Sequence, residues 1–238
     1  PRVRRIVAPN PSVMTGPGTN TYLVGREQVA VIDPGPDERS HVEAILAAGA
    51  GRIRWILVTH THEDHSPAAA TLARETGAEL WGRAAPGEPY QDQSFRPDVP
   101  FSDGAVLAST EFRLRAVHTP GHVENHFCVL LEEEGMLMTG DHIMNGSTVV
   151  IIPPSGDMGH YLDSLQKLKA FPLRRLAPGH GELMPDPVAV IDGIVAHRLQ
   201  REAKVLRVLA TTGGGTLDEL VRQAYDDVPT ALHIMAKY

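Results

Sequence analysis

Residues 59–65 are dense in side chains that bind metal ions. They read Thr59-His60-Thr61-His62-Glu63-Asp64-His65. Imidazole nitrogens and carboxylate oxygens suit zinc, and manganese or iron also accept them. Because a short turn directs alternate side chains to different sides, His60 and His62 are predicted to face one metal ion, and Asp64 and His65 a second. A merely polar, exposed turn would explain one histidine, but not a cluster of this density.

Three later stretches place a candidate ligand at the end of an apolar strand. They are Thr119-Pro120-Gly121-His122, Gly140-Asp141 and Pro178-Gly179-His180. Proline and glycine favour tight turns and allow close backbone approach. A single histidine beside a glycine means little, but the shared position at strand ends indicates convergence on one site. Asp33 ends another buried strand and is a candidate for orienting the metal turn; the alternative is a turn-forming aspartate before proline.

Strands and helices that could position these residues follow from local patterns. The apolar residues between Ile53 and Val58 predict a strand, and Ser66 before Pro67 predicts the N-cap of a helix that runs to about residue 76. Ser40 and Glu43 form a second capping pattern. Further strands are predicted at 21–24, 29–32, 79–82, 105–107, 112–117, 126–131 and 135–139. Repeated strand–helix units with antiparallel hairpins indicate two sheets with helices outside.

Composition narrows the function classes. The chain has 238 residues with 42% hydrophobic, enough for a sizeable core. With 22 basic and 29 acidic residues its formal charge is −7, which disfavours indiscriminate binding to polyanions. The single cysteine, Cys128, excludes an internal disulfide and is predicted to be a buried strand residue. Because no long apolar run or signal-peptide core is found, we expect a cytoplasmic protein without a membrane partner.

Two segments lie outside the predicted sheets. Residues 83–100 are rich in proline, glycine and polar residues, and we expect them to form a rim over the site. From Asp186 a long helix is predicted to about residue 210, with a basic side that is either solvated or in contact with a phosphate chain; this side carries His197, Arg198, Arg201, Lys204 and Arg207. Thr216 and Glu219 predict another capped helix, and Thr230 a further one. We therefore predict two regions, 1–185 and 186–238, the second helical and incomplete.

With these motifs assembled, the sequence resembles the metallo-β-lactamase-fold hydrolases over roughly residues 3–185. The resemblance implies an α+β fold, a four-layer αβ/βα sandwich with a dinuclear site at one edge. It implies that the first metal is bound by His60, His62 and His122, and the second by Asp64, His65 and His180. Asp141 matches the carboxylate that bridges both ions. By the same resemblance Asp64 and Asp141 are the catalytic carboxylates.

Within that superfamily the chain is most similar to the β-lactamase-like protein 2 group. The similarity lies in residues 9–12, 18–25 and 178–181 and in the long helix behind them. Members of the group include an endoribonuclease that acts on single-stranded RNA and has a winged-helix-like C-terminal appendage. The resemblance therefore implies a partial winged-helix-like region after residue 185. The short Gly140-Asp141 step distinguishes the chain from true β-lactamases, which generally lack a bridging aspartate.

These features lead to three functional hypotheses. The first is a hydrolase that uses a hydroxide activated by two Zn²⁺ ions, with single-stranded RNA as substrate. The second is hydrolysis of a small-molecule thioester, lactone or β-lactam, as in glyoxalase II or a weak β-lactamase. The third is a metal-bound binding module without turnover. A histidine could protonate the leaving group, and four are candidates without an assignment between them: His118, His126, His142 and His160.

Overall fold

Two β-sheets packed face to face form the centre of the protein, and helices cover both outer faces. The computed structural model describes residues 2–230 and residue 233. The first sheet has the order β1-β2-β3-β4-β5-β6 and the second the order β12-β11-β10-β9-β8-β7. The layers are therefore helix, sheet, sheet, helix, as the α+β sandwich prediction required.

The strands of the first sheet are β1 (Val3–Val7), β2 (Asn20–Val24), β3 (Val29–Ile32), β4 (Ile53–Leu57), β5 (Glu79–Gly82) and β6 (Val99–Pro100). Those of the second are β7 (Val106–Ala108), β8 (Arg113–His118), β9 (Phe127–Leu131), β10 (Met136–Gly140), β11 (Arg175–Pro178) and β12 (Met184–Pro185). The helices are α1 (Arg39–Gly49), α2 (Ala68–Thr76), α3 (Met158–Leu168), α4 (Pro187–Thr212) and α5 (Leu217–Ala224).

Strand direction brings the motif-bearing turns to one edge. Strands β3, β4 and β5 are parallel, so the residues that follow β3 and β4 leave the sheet on the same side. In the second sheet β10 is parallel to β11, while β8 and β10 are each antiparallel to β9. The carboxyl ends of β8, β10 and β11 therefore also share one edge. These two edges meet where the candidate ligands lie.

Three apolar clusters hold the layers together. The cluster between the sheets includes Ile32, Leu57, Phe127 and Met138. A second cluster packs α1 and α2 against the first sheet, and a third packs α3 and the first half of α4 against the second sheet. Cys128 is fully buried in the third cluster, which confirms its prediction as a strand core residue.

Two predicted helix caps are wrong. Helix α1 begins at Arg39 after Glu38, so Ser40 lies inside the helix, and the Glu43 carboxylate accepts a hydrogen bond from Arg39 at 2.8 Å instead of capping. Helix α2 has Pro67 at its N-cap position, and the Ser66 hydroxyl donates to Asp92 at 2.8 Å. In each case an expected capping side chain forms a hydrogen bond with another side chain instead of with the helix backbone.

The C-terminal helices agree with their predicted signals. Asp186 caps α4 by accepting from the backbone of Ala189, and Thr216 and Glu219 form a complete capping box at α5. No strand follows α5 within the described part of the chain. The helix predicted from Thr230 lies outside the described residues, except for Thr230 and residue 233. Among the described helices, none has the length and apolar character that a membrane crossing requires.

Candidate metal centre

The structure brings all seven predicted ligands together in two groups that share Asp141. One group contains His60, His62, His122 and Asp141; the other contains Asp64, His65, Asp141 and His180. Within each group one ligand atom per residue lies within 4.8 Å of the others. The assignment of residues to the two groups is the one that the family resemblance implied, and the role of these residues as metal ligands stays a prediction.

Three imidazole nitrogens face one another in the first group. His62 Nδ1 lies 2.9 Å from His60 Nε2 and 3.0 Å from His122 Nε2. The nearer Asp141 oxygen, Oδ2, is 3.9 Å from His122 Nε2. A neutral imidazole carries one N–H, and that of His122 is donated from Nδ1 to the Val150 carbonyl, so its Nε2 presents a lone pair to His62. The arrangement therefore suits a cation placed among their lone pairs.

The second group surrounds the imidazoles with carboxylates. His180 Nε2 lies 3.1 Å from Asp64 Oδ2 and 3.3 Å from Asp141 Oδ1. His65 Nε2 lies 3.3 Å from the same Asp141 oxygen and 3.5 Å from Asp64 Oδ2. His65 is fully buried and Asp64 retains some exposure. Asp141 Oδ1 thus sits between the two imidazoles of this group.

The contacts of Asp33 agree with its predicted role in orienting the 59–65 turn. Its two oxygens accept hydrogen bonds from the Thr59 backbone N–H and hydroxyl, each at 2.8 Å. Its Oδ2 also lies 3.0 Å from His65 Nδ1. Since an aspartate oxygen accepts from Nδ1–H, the Nε2 atom of His65 is the one that faces Asp64 and Asp141.

Burial keeps the imidazoles of the first group neutral. It lowers the pKa of His62 to about 3, with the neighbouring His122 adding to the effect. Burial also lowers the pKa of His60 and of His122. A neutral imidazole is the form that binds a metal ion. These three rings therefore present lone pairs across the whole physiological pH range.

The second group has the opposite electrostatics. Burial lowers the pKa of His180, but the carboxylates of Asp141 and Asp64 outweigh it and raise this pKa to about 9. The carboxylates that face His65 raise its pKa likewise, against burial. Burial raises the pKa of Asp141, but His65 and His180 outweigh it and bring the value well below the usual range. Without metal ions, this group is a set of buried ion pairs.

The donor set fits two divalent ions. His65 Nε2 and Asp141 Oδ1 are both buried and make no hydrogen bond of acceptable geometry with the described residues. Such atoms are costly to bury unless a ligand or ion satisfies them. Imidazole and carboxylate donors at these two points match zinc and also accept manganese or iron.

Two glycines allow the strand ends to approach the centre. Gly140 has a φ of +45°, and a Cβ there would lie 2.5 Å from the Thr59 hydroxyl oxygen. A Cβ at Gly179 would lie 2.8 Å from Asp141 Oδ1 and 2.7 Å from His65 Cε1. All three contacts are closer than real Cβ atoms make. Only glycine fits at these two positions, as the sequence pattern at the ends of β10 and β11 indicated.

Backbone carbonyls fix two further imidazoles. His122 Nδ1 lies 2.6 Å from the Val150 carbonyl, and His180 Nδ1 lies 3.3 Å from the Gly18 carbonyl. Both carbonyls belong to connections without regular secondary structure, 8–19 and 141–157. No sequence pattern predicts these two contacts, because a backbone carbonyl acceptor does not depend on the side chain of its own residue.

The segment between β5 and β6 packs along the metal turn, in line with its predicted place at the rim. Gln91 pairs with the His62 backbone in an isolated bridge and accepts from the Thr61 hydroxyl at 2.6 Å. The Asp92 amide donates to the Thr61 carbonyl at 2.6 Å. Asn125 donates to Thr61 and to the carbonyl of Ala84, so it joins this segment to the 119–126 turn.

None of the four candidate proton donors belongs to either ligand group. His126 and His142 are fully buried behind the first group, with ring centroids 5.1 Å from His60 to His126 and 5.7 Å from His126 to His142. His118 stacks near Phe127, and His160 is exposed in the first turn of α3.

The basic side of α4 is largely engaged within the protein. Arg201 makes two hydrogen bonds to the Asp227 carboxylate, both at 2.8 Å, and Lys204 pairs with Asp226 and Asp227. Arg198 donates to the Val149 carbonyl at 2.5 Å. These contacts engage Arg198, Arg201 and Lys204, whereas His197 and Arg207 on the same side are exposed to solvent, as the solvated interpretation predicted.

Comparison with known proteins identifies the family. The model of the metallo-beta-lactamase superfamily matches residues 14–180, so the chain belongs to this superfamily. A beta-lactamase-like protein 2 homolog from Caenorhabditis elegans is 31% identical over 239 residues, covering 98% of this chain and 80% of the relative. An atrochrysone carboxyl ACP thioesterase from Cryptosporiopsis is 32% identical over 88% of this chain, which spans 63% of that relative's length. The protein is a metallo-hydrolase.

A solved structure shows the same architecture. A metallo-beta-lactamase family protein from Thermus thermophilus superimposes with a TM-score of 0.75 at 22% identity, covering 99% of this chain and 92% of the other. At this identity the likeness concerns the fold. Since it extends over almost the whole chain, it includes the C-terminal helical region as well as the sandwich.

Proposed function

We propose that the protein is a dinuclear metal-dependent hydrolase of acyl substrates, with a thioester as the substrate class. The observation that carries the proposal is the pair of His/Asp groups joined through Asp141. For stability alone, apolar residues would serve better at these seven positions, because buried polar and charged side chains are costly. We assign His60, His62 and His122 to the first ion, Asp64, His65 and His180 to the second, and Asp141 to both.

Zinc is the ion that we propose for both positions. When bound, two such ions supply Lewis acidity for a substrate carbonyl and make a water molecule a better nucleophile. The surrounding residues orient the imidazole rings and hold them in place. Asp33 fixes the ring of His65, Val150 fixes that of His122, and Gly18 that of His180. Each ring therefore keeps one nitrogen directed at the centre before any substrate arrives.

The two carboxylates have different surroundings and different proposed roles. Asp141 is nearly buried between both groups, so it neutralises positive charge that they share. The Asp64 side chain is 28% exposed, which puts it at the open side of the second group. Its carboxylate is thus the one that can also contact a substrate or accept a proton near the reacting atoms. No serine or cysteine nucleophile is needed.

Apolar side chains on the surrounding loops favour an acyl substrate. Val13, Tyr90 and Ile152 are 86%, 79% and 44% exposed. Each lies on a connection that contacts a proposed ligand: 8–19 at His180, 83–98 at His62, and 141–157 at His122. Exposed apolar residues next to a polar centre are typical of sites that bind a partly apolar ligand.

The same surface gives less support to an RNA substrate. Non-specific binding to RNA rests on lysine and arginine side chains that face the phosphates. On α4, Arg201 and Lys204 are committed to Asp226 and Asp227. The formal charge of −7 also opposes a polyanion. The thioesterase that is 32% identical to this chain gives further support to a thioester substrate.

Steady-state kinetics on zinc-loaded protein test the proposal. The panel contains a short-chain and a medium-chain acyl thioester, a β-lactam and an unstructured RNA oligonucleotide. We expect the highest kcat/KM for the medium-chain thioester. His62→Ala should lower this kcat/KM by about 100-fold or more, because removing a ligand weakens the metal site at least as much as removing an outer partner. Elemental analysis of protein purified without added metal gives the identity and number of the ions.

His160→Ala is the matched control, since it removes an exposed histidine from the start of α3 without touching either group. It should leave kcat/KM at the wild-type value. Cleavage of RNA that His62→Ala abolishes, without thioester turnover, would replace the substrate assignment by a nuclease. A metal-loaded protein that turns over none of the four substrates would support a binding module instead.

A further inference from the structure

A short loop after β10 is held by two side chains from different layers of the fold. Residues 146–151 have no regular secondary structure. Within the described chain, the hydrogen bonds that reach this stretch are from His122 Nδ1 to the Val150 carbonyl at 2.6 Å, and from Arg198 to the Val149 carbonyl at 2.5 Å. The acceptor that orients a proposed metal ligand is thus adjacent to the acceptor that α4 holds.

Arg198 is itself fixed in place. Its guanidinium lies over the Tyr161 ring, 5.4 Å from the ring centroid, and Tyr161 is fully buried. Val149 is 4% exposed and belongs to the same core cluster as Tyr161 and Ile191. The arginine head is therefore held from two sides, by the Tyr161 ring and by the Val149 carbonyl. A donor fixed in this way constrains the backbone it contacts more than a mobile surface arginine does.

We infer that Arg198 of α4 is a positioning residue for the metal ligand His122, acting through residues 149 and 150. The inference rests on the proposed metal centre. The Arg198 contact sets the position of the Val149 carbonyl, the next carbonyl receives the Nδ1–H of His122, and this bond directs His122 Nε2 toward His60 and His62. The C-terminal helix thereby contributes to the metal centre without providing a ligand.

Arg201 offers a matched comparison on the same helix. It lies one turn further along, stacks over Tyr225 at 4.4 Å and forms a charged hydrogen-bonded pair with Asp227. It resembles Arg198 in type, in its aromatic partner and in its partial burial. Its partners belong to the region after α5, and not to the 141–157 connection. Loss of Arg201 tests a general effect on the C-terminal helices, whereas loss of Arg198 tests the path to His122.

Zinc affinity measured by competition with a chromophoric chelator is the test. Arg198→Met should weaken zinc binding at the group that contains His122 by about tenfold. This is the lower end of the loss of affinity seen when an outer hydrogen-bond partner of a metal ligand is removed. The absorption spectrum of the Co²⁺-loaded variant should shift, since the His122 ring is no longer held. Arg201→Met should keep the wild-type zinc affinity and Co²⁺ spectrum, even where its melting temperature falls.

Arg198→Gln provides a second variant in case the methionine variant folds poorly, since its polar head tolerates solvent and is too short to reach Val149. The same loss of zinc affinity is expected. Wild-type affinity in a cooperatively melting Arg198 variant, or an equal loss in Arg201→Met, would overturn the inference and leave the hydrolase proposal intact. If the wild-type protein binds no zinc, the metal centre itself is wrong and the inference falls with it.

Discussion

Replacing Asp33 by asparagine isolates the orientation of one metal ligand from its chemistry. Asp33 accepts three hydrogen bonds, two from Thr59 and one from His65, through a side chain that is almost fully buried. Asparagine keeps one oxygen for the Thr59 amide and has nearly the same volume. Its amino group then faces His65 Nδ1 and can only donate. His65 must become an acceptor at Nδ1, and its Nε2 then carries the proton.

The expected magnitude follows from these contacts. A hydrogen bond to a charged group contributes about 1.5–3 kcal/mol, so metal-free Asp33→Asn should lose about 2 kcal/mol of unfolding free energy. In the metal-loaded protein, the wrong tautomer places Nε2–H where a lone pair is needed. Zinc affinity of the second group should then fall about 10- to 100-fold, the range for loss of an outer partner. The first group, which Asp33 does not contact through an imidazole, should keep its ion.

Chelator competition and elemental analysis measure this outcome. Asp33→Asn should be purified with close to one zinc per chain under conditions in which the wild-type protein holds two. Asp92→Asn is the matched control: it changes a carboxylate of the segment between β5 and β6, bonded to the Ser66 hydroxyl, that contacts no imidazole of the site. If Asp33→Asn retains two ions with wild-type affinity, the tautomer of His65 is not set by Asp33 and the reasoning fails.

Three further outcomes are expected. Because the pKa of His180 is raised to about 9, zinc binding at pH 7 should release protons, which calorimetry in buffers of different ionisation enthalpy measures. In the metal-free protein, the stability that the raised pKa contributes is fully present below about pH 6.5. It should be lost as the pH rises through about 9. Gly140→Ala should destabilise the protein by about 2 kcal/mol or more in denaturant, since its Cβ meets Thr59 at a positive φ. Gly193→Ala, in open space inside α4, should stabilise it by about 0.5–1 kcal/mol.

The ligand set could be predicted from sequence because each ligand follows an apolar strand. The run before Thr59 and the Gly-Asp and Gly-His steps at 140–141 and 179–180 mark the ends of β4, β10 and β11 directly. Parallel neighbours in a sheet then place these ends at one edge. Asp33 could be proposed for the same reason, as the residue after β3. Local pattern and one topological rule indicated the stretches that carry ligands, and the family resemblance selected His122, Asp141 and His180 within them.

Predictions failed where a distant residue competes for a local group. The Ser66 hydroxyl bonds Asp92, from a segment 26 residues away whose path no local pattern specifies. The acidic partners of Arg201 and Lys204 on α4 could not be predicted, because Asp226 and Asp227 lie beyond α5 and only the packing of α5 on α4 brings them close. A local pattern gives the donors, whereas tertiary packing decides their partners. The predicted boundary between residues 185 and 186 stays a prediction.

The candidate metal centre is supported by three separate parts of the fold through the nitrogens that do not face it. His65 is held by β3 of the first sheet, His180 by the 8–19 connection, and His122 by a loop that α4 holds in turn. Because the partner of the other nitrogen fixes the tautomer and orientation of a metal-binding imidazole, we expect metal affinity to depend on all three contacts. The ions, once bound, should therefore stabilise the sandwich and the first half of α4 as one unit, and removing them should loosen both together.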